Sequence, residues 1–380
     1  MFREMVVQGA IFFNTIVQRA KPIVVVSILL LATACGFSKK GAATDTKSRP
    51  YKISVFYATD RQIVTGKCKR KKLFTKAPGL QYGADRNEPG LQYGISEVYI
   101  PHKRKTGQPQ TSYFSINPGG SLEELIVLKN RPIVLKNTQM GFSVMADSIK
   151  HKYSDTSDAF IFIHGFNATF DKAAKTTALL AYDLQFTGAP IMFSWPSRGR
   201  LTSYIADEAA VAWATLHLQQ FLEQVFATVK TRKIHIIAHS MGNRAITEVL
   251  LKLDSAKRQR IDQLILMAAD VDADVFRRDI APGLQGAAKR ITMYCSSKDE
   301  ALKACKIINH CQRVGQSRPG VITFKGIDTI DVSDVKTDIS GHNYFIAPPV
   351  ITDISRLFNY NASPYKRGLF PVATYWSFSK

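Results

Sequence analysis

The sequence predicts an α/β protein with a mostly parallel central sheet flanked by helices. Two observations carry that prediction. From Asp158 onward, short and continuously apolar runs recur, as strands buried on both faces require. Between them lie longer stretches with helical spacing, so helical crossovers join successive strands. Taken in order, Ala159 to Ile163 is a strand, and Asp171 to Phe186 a helix spaced through Ala174, Ala178, Leu179 and Tyr182. Pro190 to Trp195 is the next strand, before a long helix from Tyr204 to Val229 without proline or glycine. Ile234 to Ala238, Leu264 to Ala268 and Ile291 to Cys295 are strands. Met241 to Leu253, 273–281 and Glu300 to Ile308 are helical, and Val321 to Val332 is extended. Upstream, Ile53 to Tyr57 reads as a first strand. The repeated Pro-Gly-Leu-Gln-Tyr-Gly at 78–83 and 89–94 reads as a duplicated loop segment. In sheets of this kind, reactive groups gather beyond the carboxyl ends of the strands.

The chain has 380 residues, 45% hydrophobic and 21% charged, enough for one large core with peripheral additions. Its 51 lysines and arginines outweigh 30 acidic residues, for a formal charge of +21. That balance favours anionic surfaces such as lipid headgroups, cell-wall polymers or nucleic acid. The basic residues are scattered apart from the run Lys67 to Lys72, which no aromatic RNP-like strand, zinc-finger spacing or heptad zipper frames. It reads as a solvated loop, and no specific nucleic acid is expected. Cys35, Cys68, Cys295, Cys305 and Cys311 include no Cys-x-x-Cys and no Cys/His cluster with zinc spacing. No metal and no cofactor is therefore expected. Cys305 and Cys311 could form a disulfide in an exported protein, and Cys295 reads as buried packing.

Residues 22–34 form a short apolar run behind Arg19 and Lys21, and Ala32-Thr33-Ala34-Cys35 ends it with small residues. This is the pattern of a secretory signal. Its ending resembles a bacterial lipoprotein signal, which implies that Cys35 becomes the lipid-bearing first residue. The rival reading is an uncleaved anchor of roughly 20 residues. Either one makes the remainder exported, membrane-anchored or periplasmic. Residues 36–50 are rich in Lys, Ser, Thr and Gly, as a flexible tether would be.

The strand ending at Ala238 runs into His239-Ser240-Met241-Gly242-Asn243 and then a helix. A sharp strand-to-helix turn lifts a serine hydroxyl out of the sheet edge, and needs small residues two places either side of it. Ala238 and Gly242 fill those places, which makes Ser240 the candidate nucleophile. After the strand ending at Ile163 comes His164-Gly165-Phe166-Asn167. Acyl transfer builds charge on a carbonyl oxygen, and fixed backbone N–H groups stabilise it. Met241 and Phe166 are the candidate donors of this oxyanion hole, with Gly165 letting the backbone turn inward. Of eight histidines, His342 alone is both late in the chain and in a loop at the expected sheet edge, in the order Ser, acid, His. Two acids could orient it, Asp299 after Ile291 to Ser296, or Asp270 after Leu264 to Ala269. Asp299 is preferred, because Asp270 belongs to an acidic cluster with Asp272 and Asp274 suited to a helix start.

Five stretches then resemble a bacterial family of lipase/esterase-like α/β hydrolases of poorly defined function. They are Val55 to Arg61, Phe162 to Asn167, Phe193 to Ser197, Ala238 to Asn243 and Gly341 to Tyr344. The resemblance implies the α/β-hydrolase fold and esterase or lipase-type activity. Asp60 stands where asparagine would be expected, and Trp195-Pro196 should border the pocket. The domain plan is a signal or anchor at 1–35, a tether at 36–50 and a catalytic domain at 51–380. Within the last, strands and loops occupy 51–157 and the catalytic core 158–360. The expected function is carboxylic ester hydrolysis through Ser240, His342 and Asp299 and an acyl-enzyme, on a small-molecule or lipid ester. Thioesterase, amidase or acyltransferase chemistry with the same triad is the alternative, as is a non-catalytic surface-anchored protein that binds anionic polymer.

Overall fold

A computed structural model describes residues 51–64, 81–87, 90–100, 127–133, 138–338 and 340–379. All of them belong to one compact unit, Arg49–Lys380. The apolar run 22–34, Cys35, the tether 36–50 and the basic run 67–72 lie outside the described residues. Among the described residues, no helix is long and apolar enough to cross a membrane.

The strands are β1 (Tyr51–Thr59), β2 (Arg61–Val64), β3 (Gln81–Arg86), β4 (Gln92–Ile100), β5 (Val127–Ile133), β6 (Ala159–Ile163) and β7 (Ala189–Ser194). They continue with β8 (Ile234–His239), β9 (Ile261–Met267), β10 (Arg290–Cys295), β11 (Ile327–Asp331), β12 (Phe370–Val372) and β13 (Tyr375–Ser377). The main helices are α1 (Thr138–Lys152), α2 (Phe170–Asp183), α3 (Tyr204–Thr228), α4 (Gly242–Lys252), α5 (Glu300–Asn309) and α6 (Pro348–Tyr360). Eleven strands form one sheet in the order β12-β13-β11-β10-β9-β8-β6-β7-β1-β4-β5, and β2 pairs with β3 apart from it. From β1 across to β11 every neighbouring pair is parallel, while β4, β5 and β12 add antiparallel edges.

The central strands β6, β7, β8 and β9 are buried at every residue, the mark of a sheet covered on both faces. Alternation sorts their side chains into two cores. Ile161 and Ile163 join Phe193, Phe221, Leu222 and Ile246 on one face, beneath α1, α3 and α4. Phe160 and Phe162 join Leu179, Ile237, Ile354 and Leu357 on the other, beneath α2 and α6. Helix α3 buries Val211, Ala214, Leu218, Phe221, Leu222 and Val225, a single stripe at the 3.6-residue period.

Several expectations need correction. The repeated hexapeptides are not both loops. Gln81 and Gln92 open β3 and β4, and Tyr82 and Tyr93 are buried, the Tyr82 hydroxyl 3.1 Å from that of Tyr57. Aromatic burial therefore outweighs the Pro-Gly turn signal. Of Val321 to Val332 only Ile327–Asp331 is strand. The strand expected at Leu264 starts earlier, at Ile261, and stops at Met267 because Ala268 takes a left-handed backbone, φ 46°. The helical stretch at 273–281 is broken by a π turn at Phe276–Ile280. Cys305 and Cys311 are not bridged. The buried Cys305 thiol faces Tyr204, and Cys311 faces Asp272. Helices α1 and α6 and the β12–β13 hairpin are additional to the elements read from the sequence.

Candidate active site

Strand β8 delivers Ser240 directly to the carboxyl edge of the sheet, where the backbone turns sharply into α4. Ser240 is 4% exposed and has φ 53°, the left-handed region that costs a non-glycine residue about 1–3 kcal/mol. Local hydrogen bonds hold it there. Its N–H donates to Met267 O at 2.9 Å, and its carbonyl accepts from Asn243 N, Asn243 Nδ2 and Asp270 N at 3.1, 2.9 and 3.3 Å. Asn243 Nδ2 also donates to Met267 O at 3.0 Å, tying the turn to β9. Gly165, on the loop after the neighbouring β6, is packed against this turn. A Cβ added there would lie 2.6 Å from Ser240 Cβ and 2.9 Å from His239 O. The loop that carries Phe166 thus lies against the serine, as the sequence spacing requires. The backbone N–H groups of Phe166 and Met241 donate to no other group among the described residues.

Behind that loop sits a charge the sequence reading passed over. Arg61 is 1% exposed, and its guanidinium donates to Ser194 Oγ (2.9 Å), Gly83 O (3.1 Å), Ser197 O (2.9 Å) and Ala168 O (2.8 Å). Burial lowers its pKa to about 10, against the opposing charges of Asp60, Asp207 and Asp171. Its Nη2 also lies 3.4 Å from His164 Nε2. Burial, then the Arg61 charge, drops His164 to about 3, so the ring is neutral. It stacks on Trp195, whose indole N–H donates to His164 O at 2.8 Å. Trp195 is fully buried beneath the loop, so it supports the site from behind rather than bordering an open pocket. Asp60 pairs with His217 at 3.2 Å, a buried structural contact for the first motif.

On the far side of β8, Asp299 follows β10 and His342 follows β11. His342 Nδ1 lies 2.7 Å from Asp299 Oδ2 and 2.9 Å from Oδ1. Burial alone would lower the imidazole pKa. The charge and hydrogen bond of Asp299, helped by Asp270 and Asp338, overcome it and hold His342 above its ordinary value. Gly341 makes this approach possible. It has φ 61°, and a Cβ there would fall 2.1 Å from Lys298 O. Glu300 N donates to Ser340 O at 3.0 Å, closing the two loops together. His342 also meets the residue beside the serine, with its carbonyl 3.2 Å from His239 Nε2 and ring centroids 4.6 Å apart.

Asp270 lies elsewhere, fully buried and facing cations. Its Oδ2 accepts from Tyr204 Oη at 2.8 Å and Arg244 Nη2 at 3.1 Å, and Oδ1 faces Arg313 Nε at 3.1 Å. The helix start in the acidic cluster belongs to Asp272, which accepts from Asp274 N and Val275 N. Asp270 is therefore no cap, contrary to the expectation drawn from the cluster. Tyr204 stacks edge-on against Phe166 with centroids 5.4 Å apart, so the cluster packs on the second loop of the site. Arg61 and Tyr204 stand far from the serine in sequence, and Arg244 follows it in the first turn of α4. Only Arg61 and Asn243 fall inside the quoted motifs.

No curated protein matches the chain. Solved structures similar to it include a CIB-like hydrolase from Thermoplasma acidophilum, 12% identical, covering 54% of this chain and 86% of that one, with a TM-score of 0.31. An uncharacterized protein from Bacillus cereus is 15% identical over 53% of this chain and 65% of its own, with a TM-score of 0.30. The carboxylesterase CesB (YbfK) from Bacillus subtilis is 9% identical over 56% and 86%, with a TM-score of 0.31. A family model matches residues 142–359, more than half of the chain, from within α1 to within α6. The chain adopts the α/β-hydrolase fold and belongs to the family described as alpha/beta hydrolase of unknown function (DUF900).

Proposed function

We propose that this chain is a serine hydrolase that cleaves carboxylic esters, with Ser240 as nucleophile, His342 as base and Asp299 as the acid that orients it. The observation that supports the reading most is the pairing of His342 Nδ1 with Asp299 at 2.7 Å, beside the residue that precedes a strained Ser240. With Nδ1–H held by Asp299, the neutral imidazole offers Nε2 to the Ser240 hydroxyl. Ser240 Oγ attacks the carbonyl carbon as His342 takes its proton, and the Phe166 and Met241 N–H groups receive the oxyanion. His342 then protonates the departing alkoxide, leaving an acyl-serine. Water, deprotonated by the same imidazole, releases the acid and restores the serine. In this reading the enzyme works outside the cytoplasm, anchored to a membrane through lipid on Cys35.

Ser240→Ala tests it directly. In protein cleared of contaminating esterases, hydrolysis across a panel of esters, thioesters and amides should fall on the order of 10⁴-fold or more. Labelling by a fluorophosphonate should vanish with it. Near-normal turnover by the folded variant would remove Ser240 from the mechanism, and a preference for thioesters or amides would move the substrate class.

A further inference from the structure

The two candidate oxyanion donors, Phe166 N and Met241 N, follow different strands, β6 and β8, and one buried side chain is bonded toward both. Tyr204, the first residue of α3, is 6% exposed. Its hydroxyl donates to Asp270 Oδ2 at 2.8 Å and accepts from Arg244 Nη2 at 2.8 Å and Asn309 Nδ2 at 3.2 Å. A phenol offers one proton and two lone pairs, so this hydroxyl has no capacity left. Its three partners stand on the loop after β9, on α4 and at the end of α5. Burial, then the Asp270 charge, pushes the phenol well above its ordinary range, so the hydroxyl keeps its proton for Asp270.

Toward the first donor, the Tyr204 ring meets the Phe166 ring edge-on, with centroids 5.4 Å apart and planes at 74°. Toward the second, its partners grip the nucleophile turn. Asp270 N donates to Ser240 O at 3.3 Å, Arg244 N donates to Met241 O at 3.1 Å, and Arg244 Nε donates to Asp270 O at 2.7 Å. An apolar side chain could fill the same space, but dispersion has no preferred direction. Hydrogen bonds from three segments do, and they fix where the ring stands relative to the turn. Oxyanion stabilisation depends on donor placement to a few tenths of an ångström. We propose that Tyr204 is a positioning residue for the reaction, whose hydroxyl is tied to the Met241 side and whose ring holds the Phe166 N–H where the oxyanion forms. This rests on the ester-hydrolase reading and adds to it the group that sets the spacing of the two donors.

Ester turnover and inhibition by ketones, measured on the full-length chain, test it. Ser240 Oγ adds to the carbonyl carbon of a trifluoromethyl ketone, the carbonyl oxygen becomes an anion and His342 takes the serine proton. The matching methyl ketone stays a carbonyl, so the ratio of the two affinities reads the oxyanion hole. Tyr204→Phe keeps the ring and leaves Asp270 paired with Arg244 and Arg313. It should lower kcat about tenfold with little change in KM, and Tyr204→Leu should lower it about 100-fold, near the loss of one whole oxyanion donor. The ketone ratio should fall in parallel. Unchanged kcat per folded molecule, with only a lower urea midpoint, makes Tyr204 a packing residue and overturns the proposal. So does a rise in KM alone, or a fall in kcat that leaves the ketone ratio untouched. If Tyr204→Leu does not fold, Tyr204→Phe decides. If the unsubstituted chain neither hydrolyses esters nor takes a fluorophosphonate label, the ester-hydrolase reading has failed instead. Hydrogen exchange at Ala168 N, which donates to Ser197 Oγ at 3.1 Å from the Phe166 loop, then gives the answer. Faster exchange in Tyr204→Phe keeps Tyr204 as the clamp of that loop, and unchanged exchange removes it.

Discussion

At Asp299 one carboxylate serves two neighbours, and the two can be separated. Oδ1 accepts Leu302 N at 2.9 Å and so caps α5, while both oxygens face His342 Nδ1. Asparagine caps a helix as well as aspartate does, so Asp299→Asn keeps the helix start. It then presents an amide to Nδ1 and favours the wrong tautomer. The expected outcome is a fall in kcat on the order of 10⁴-fold with little change in the urea midpoint. Asp270→Asn should behave in the opposite way. It removes the buried counter-charge of Arg244 and Arg313, so the expected cost is roughly 3 kcal/mol of stability. Turnover per folded molecule should change less. If the Asp270 variant is the inactive one, the assignments are exchanged. The raised His342 pKa adds a signed expectation to the same experiment. Only neutral imidazole accepts the serine proton, so kcat/KM should rise with pH along a limb centred above the ordinary value near 6.5. By linkage, the charged His342–Asp299 pair adds stability that is fully present below that ordinary value. It is lost as pH climbs through the folded one. A profile centred below the ordinary value would contradict this geometry.

Among the elements, the corner between the first two strands matters more than its position suggests. The β1–β2 corner places Arg61 where it fastens the loop after β6 to the loop after β7, through Ala168 O, Ser197 O and Ser194 Oγ. A lysine has one ammonium and cannot match that fork. Arg61→Lys should lower stability by about 2–4 kcal/mol, seen in urea unfolding, and reduce ester turnover as the Phe166 loop loosens. Arg278→Lys, an exposed control whose ion pair among the described residues is with Asp279, should change neither. An unaltered Arg61 variant would show that the loop is held without it. These elements also show how far local sequence reaches. The strand–helix rhythm from β6 to α5 was legible because β6 to β9 are buried at every residue and β10 at all but its first. Its edges sit within a few residues of where periodicity places them. The turns at Ser240, Gly165 and Gly341 were legible because a sharp backbone leaves few residue choices. Arg61 was not, since nothing local says that a charged side chain 107 to 136 residues away in sequence from the loop groups it fastens will be buried. Helix α6 was missed although its apolar stripe of Val350, Ile354, Leu357 and Phe358 is regular, because the Pro348-Pro349 pair that opens it carries a loop signal.

For the molecule as a whole, the formal charge of +21 and the apolar run before Cys35 bear on where the chain works. If Cys35 carries lipid, Cys35→Ser should release the protein from membranes, whereas retention with an intact N-terminus would identify an uncleaved anchor. A single lipid chain binds only marginally, so cationic attraction to anionic lipid would add to it, and high salt should ease release. The outer margins of the sheet have a practical meaning of their own. Strand β11 is covered by β13, through Ile330 beside Trp376 and Asp331 beside Ser377, and β12 follows with Pro371 in its middle. The family match stops at residue 359, before either strand. A gene trimmed to that boundary would make a chain with the catalytic candidates intact and one flank of β11 unzipped. Its bare N–H and C=O groups would invite the same flank of another copy, so the shortened product would clump edge to edge while each molecule still held its core.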